Sequence, residues 1–84
     1  MNIRHAKYLL KKATVARCAG ETLDAARLAA GALRCALQCR SRDKYTVARK
    51  AFHMLSELRT EAVSCKEKSD VGSLWAQAKT VFLK

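Results

Sequence analysis

The chain has 84 residues, 17 Lys and Arg against 7 Asp and Glu, a net charge of +10, no proline and three glycines. This length gives one domain with a modest core, so stability must come from efficient packing, from oligomerisation or from area buried on a partner. The longest apolar runs are far short of a membrane span, and the N-terminal "MNIRHAKYLLKKATV" lacks the apolar stretch and small-residue cleavage site of a secretory signal. A cytoplasmic protein is the expectation.

Abundant Ala, Leu, Lys and Arg favour helix, because their side chains lose little entropy there and do not compete for backbone hydrogen bonds. An all-α chain follows: a three- to four-helix bundle around a central antiparallel helical hairpin. The first helix is expected over about residues 2–18, with Ile3, Ala6, Leu10 and Ala13 at helical spacing and Leu9 and Ala16 beside them. Gly20 stops it, and Thr22 offers an N-cap oxygen to the next helix.

The second helix, about 23–39, carries Leu23, Ala26, Ala30, Leu33 and Leu37 in one stripe and Ala25, Ala29, Ala32 and Ala36 in another. Arg27 and Arg34 are left to solvent. Gly31, inside this alanine surface, is expected to mark a close helix–helix approach. "RSRD" breaks the pattern, with Ser41 or Asp43 to cap a third helix over about 44–64. Its stripes are Val47, Ala51, Met54, Leu58, Ala62 and Tyr45, Ala48, Phe52, Leu55. "CKEKSDVGS" reads as a polar break before a short last helix, about 73–83. Such a helix is marginal alone, so Trp75 and Phe82 are expected to dock it on the core.

Cys18, Cys35, Cys39 and Cys65 lack the close CxxC and HxxxH spacings of structural zinc sites. They are expected to be free, buried thiols that pack as small hydrophobes, with no metal. His5 and His53 have no evident catalytic companions in sequence, no paired carboxylates stand out and no glycine-rich phosphate loop appears. A non-enzyme without a cofactor is the expectation.

The cations say more. Up to Gly20 the chain has Arg4, Lys7, Lys11, Lys12 and Arg17 and no acid. Arg4, Lys7 and Lys11 share a helical face, placed opposite the Ile3–Leu10 stripe. A second cluster, Arg40, Arg42, Lys44, Arg49 and Lys50, surrounds the turn between the second and third helices. The bland reading is a solvated face. The sharper one is an anion-binding surface made of Arg4, Lys7, Lys11, Lys12, Arg17, Arg40, Arg42, Arg49 and Lys50. An acidic protein is the expected partner, nucleic-acid phosphates are the alternative, no membrane is expected, and homodimerisation stays open.

Gly20, Leu23, Ala26, Ala32 and Leu33 resemble the turn and second helix of a tetratricopeptide-type hairpin, in a single copy. "YTVARKAF" also resembles the "W-A-x-x-R-x-x-F" pattern of the AraC-negative-regulator family of enteric bacteria and their phages and plasmids. Tyr45, Thr46, Arg49 and Phe52 stand at its positions, after a glycine-started alanine-rich helix. The likeness covers about residues 13–53 and departs where Tyr replaces Trp and Thr replaces Ala. It implies a small regulator of phage or plasmid origin that acts by protein–protein contact, often on a transcription factor.

Overall fold

A computed structural model describes residues 3–82; positions 2 and 83 of the expected helices lie outside them. Four helices follow one another: α1 (Ile3–Cys18), α2 (Thr22–Gln38), α3 (Lys44–Glu61) and α4 (Cys65–Phe82), with no strand among the described residues. The fold is the expected all-α bundle.

α1 ends in a Schellman turn. Gly20 has φ +82°, its N–H donates to the Arg17 carbonyl at 3.1 Å, and the Glu21 N–H donates to the Ala16 carbonyl at 2.9 Å. Glycine takes that left-handed conformation without a Cβ penalty. α2 starts one residue earlier than expected. Thr22 is its first helical residue, the N-cap is Glu21, and no side chain caps it. The helix also closes earlier, with Cys39 as the extended C-cap.

α2 is the centre of the fold and touches all three other helices. α1 and α3 run parallel to each other on one side of it, while α4 packs against α2 and α3. α1 and α4 nowhere bring Cα atoms within 8 Å of each other. The alanines of both α2 stripes are buried and Leu33 lies wholly inside, while Leu23 and Leu37 are half-buried. Most of the buried hydrophobic side chains are alanines, joined by Leu55, Leu58 and Val71 at full burial. Small side chains let helix axes approach closely, and the molecule is only 15 Å across its thinnest axis.

Gly31 packs against Leu9 of α1 but does not require the absence of a side chain. A Cβ there would lie 3.7 Å from Leu9 Cδ1, which is ordinary contact.

Two elements depart from expectation at the α3–α4 junction. α3 stops at Glu61 rather than 64, because Ala62 turns extended (ψ 131°) while staying buried. α4 begins at Cys65, eight residues before the expected start. "SCKE" is a capping signature: the Ser64 hydroxyl accepts from the Glu67 N–H at 3.1 Å, and the Glu67 carboxylate accepts from the Val63 N–H at 3.4 Å. The polar segment "CKEKSDVGS" is thus the first half of α4, and Val71 within it is a fully buried core residue.

Tyr45 also departs from its stripe. It is exposed in the first turn of α3, with the Lys44 ammonium 4.9 Å from its ring centroid. Val81 is likewise exposed. Trp75 and Phe82 are half-buried against the core, stacked on Phe52 at centroid distances of 6.0 and 5.3 Å. The Trp75 indole N–H donates to Ser56 Oγ at 2.9 Å, and Arg59 lies 4.2 Å from the ring centroid. The indole thereby satisfies its polar atom while its faces bury area.

Candidate functional site

α1 and α3 lie side by side because both pack on α2, and their exposed flanks form a groove. Lys7, Leu10, Lys11 and Thr14 come from α1, and Thr46, Val47 and Lys50 from α3, with Asp43 at the start of α3. The groove holds about 440 Å³. Leu10 is half-buried and Val47 buried, so the floor is apolar, while Lys7, Lys11 and Lys50 are exposed along it.

Three lysines from two helices therefore share one hollow. Lys7 Nζ lies 3.5 Å from Asp43 Oδ2. Lys11 and Lys50 have no acid partner among the described residues. Like charges gathered this way repel each other, and an arriving anion relieves the repulsion.

The nine cations singled out in the sequence separate into groups. Lys7 and Lys11 meet Lys50 in the groove, so part of each sequence cluster converges there. Lys7 and Lys11 flank Leu10 rather than standing opposite its stripe. Lys12 turns to the other flank of α1, with its ammonium 5.3 Å from the Tyr8 ring centroid. Tyr8, Lys12 and Val15 form an exposed stripe there. Arg4, Arg40, Arg42 and Arg49 are exposed but do not line the groove.

Arg17 does other work. Its Nη2 donates to Glu57 Oε2 at 3.0 Å and to Glu61 Oε2, and its Nε donates to Glu61 Oε1 at 3.2 Å. The hydrogen bonds it donates to Glu61 and then to Glu57 push its pKa further above an already high value. Arg17 ties the end of α1 to the end of α3 and is satisfied within the fold. His53 does have a carboxylate neighbour: its Nε2 lies 3.1 Å from Glu57 Oε1, one turn along α3.

The cysteines divide. Cys35 and Cys39 are buried one turn apart, and the Cys39 thiol donates to the Cys35 carbonyl at 3.1 Å. Burial, and then the neighbouring Cys39, push the Cys35 thiol pKa up, so it stays neutral. Cys18 and Cys65 are exposed, contrary to the expectation of four buried thiols. They lie on α1 and α4, whose Cα atoms stay beyond 8 Å, too far for a disulfide between them. Among the described residues no three His, Cys, Asp or Glu side chains gather as metal ligands.

Sequence patterning missed Asp43, Thr14 and Thr46 as groove residues and the sharing of one groove by Lys50 and the α1 lysines. The available signal was topological. Two short connections make α1 and α3 parallel neighbours across α2, which sets early α1 residues beside early α3 residues. Among the described residues no helix is long and apolar enough to cross a membrane. No family model matches the chain, and no curated protein or solved structure does either.

Proposed function

We propose that this protein works by binding, and that the α1–α3 groove receives an acidic, partly apolar segment of a partner protein. The observation that carries the reading is the pairing of three exposed lysines with an apolar floor of Leu10 and Val47. An amphipathic segment uses both, burying apolar side chains on the floor and setting carboxylates on the lysines. A phosphate backbone needs the cations but not the floor. The likeness of "YTVARKAF" to the AraC-negative-regulator pattern supports a regulator acting on a host or regulatory protein in the cytoplasm, carried by a phage or plasmid. Catalysis, a metal and a cofactor have no part in this reading.

The alternative is direct contact with nucleic-acid phosphates. It is favoured by the net charge of +10 and by exposed Arg40, Arg42 and Arg49 outside the groove. One titration series separates the two. An acidic amphipathic peptide should bind the wild type and lose about tenfold or more in affinity to K11E/K50E, with the helical circular dichroism unchanged. Tight duplex DNA binding that weakens steeply with salt, with no peptide binding, would favour the alternative.

A further inference from the structure

We propose, resting on the reading of the α1–α3 groove as the seat of an acidic protein segment, that Asp43 is an internal stand-in for that segment. Its carboxylate holds the Lys7 end of the groove, marks where a partner carboxylate goes, and sets how acidic a segment must be to displace it.

Asp43 occupies the N-cap position of α3, where aspartate ordinarily accepts a hydrogen bond from a first-turn N–H. Here its backbone is helical (φ −81°, ψ −4°) and its side chain makes no cap bond. The turn is held without that side chain. The Asp43 N–H donates to Ser41 Oγ at 3.2 Å, and the Lys44 N–H donates to the Ser41 carbonyl at 3.3 Å. The carboxylate is thus free of local duty and reaches another helix, 3.5 Å from Lys7 Nζ.

Both side chains of the pair are more than half exposed, 54% for Lys7 and 61% for Asp43. Exposed pairs of this kind contribute little and exchange readily. The groove also holds more cation than its own acid can match, because Lys11 and Lys50 stay unpaired beside it. A weakly acidic segment meets Lys11 and Lys50 but also the negative charge of Asp43. A strongly acidic one replaces Asp43 on Lys7 and gains the third contact. Asp43 therefore discriminates by repulsion as well as by competition.

The test uses the full chain and a synthetic helix-forming peptide with glutamates along one face and leucines along the other. The same peptide with glutamines is the control, and affinity is read by fluorescence anisotropy. D43N should tighten binding about three- to tenfold, the range set by freeing an exposed ion pair and removing a like charge within a Debye length. D43S should do the same, which covers a folding fault in either variant. D24N, which removes an equal charge outside the groove, should change affinity much less. In a K7Q background the gain from D43N should shrink, giving a nonzero coupling in the double-mutant cycle. Equal gains from D43N and D24N, or an additive cycle with Lys7, would overturn the role of Asp43 while leaving the groove as the binding site. Failure of every folded variant to bind the glutamate peptide would overturn the groove reading itself, and the role of Asp43 with it.

Discussion

The seam between α1 and α3 is bridged at both ends, and the two bridges differ in kind. At the C-terminal end, Arg17 is 29% exposed and divides its guanidinium between Glu57 and Glu61, with His53 joining at Glu57. At the N-terminal end, one exposed lysine meets one exposed aspartate. A planar guanidinium with several aligned acceptors is pre-organised and loses little further freedom in binding them. A flexible ammonium with a single acceptor is not. The first bridge fastens helices. The second leaves its lysine available, and the basic groove lies at that end.

This contrast can be broken in several ways. Leu33→Ala, at the wholly buried centre of α2, should cost about 2–5 kcal/mol in chemical denaturation. Hydrogen exchange in that variant should rise at both ends of the seam together, whereas protection kept at the Arg17 end alone would mean that the two ends unfold separately. Arg17→Met should cost roughly 1 kcal/mol, because it leaves Glu57 and Glu61 close together without their cation. Lys7→Met should change stability by only a few tenths of a kcal/mol, about the scale of an exposed pair. Equal losses at the two sites would erase the distinction between fastening and exchangeable bridges.

Two smaller effects sharpen the picture of the scaffold behind the seam. Gly31→Ala should stabilise the protein by about 0.5–1 kcal/mol, since helix propensity rises and the added methyl meets only ordinary contact. A destabilised variant would show that α1 is closer to α2 than the Leu9 distance implies. Under native conditions a thiol reagent should label Cys18 and Cys65 quickly and leave Cys35 and Cys39 until the chain unfolds. The raised pKa of Cys35 has a sign that can be checked. Burial favours its neutral form in the folded state, so its contribution is complete below the ordinary thiol range and is lost as pH climbs through and above it. Cys35→Ala should flatten the alkaline decline in stability.

Much of the scaffold was legible in the residues. The alanines and Leu33 of α2, and Val47, Ala51 and Leu58 of α3, are buried where helical periodicity puts them, with Leu23, Leu37 and Met54 half-buried at the margins, and Gly20 ends α1 by the expected turn. The start of α4 was hidden because charged residues and Gly72 outweighed two cues, the Ser64–Glu67 cap and the apolar spacing of Val71 with Leu74 and Ala78. The candidate groove was only half legible. Its lysines were visible as basic clusters, but their meeting depends on α1 and α3 lying parallel, which no local pattern records. Arg17 was grouped with the binding cations because its acids, 40 and 44 residues away, become neighbours only in the fold. Asp43 looked like a helix cap by position, and its helical backbone, its missing cap bond and its contact with Lys7 show otherwise.

The alanine-built interior has a calorimetric consequence. A methyl side chain exposes little hydrocarbon to water when the chain unfolds, and the heat-capacity increment of unfolding scales with that hydrocarbon. With alanine at most buried positions, the increment per residue should fall below the usual value of about 12–15 cal/mol/K. The curve of stability against temperature should then be broad for its height, with cold and heat denaturation farther apart than a leucine-rich core of equal maximum stability would give.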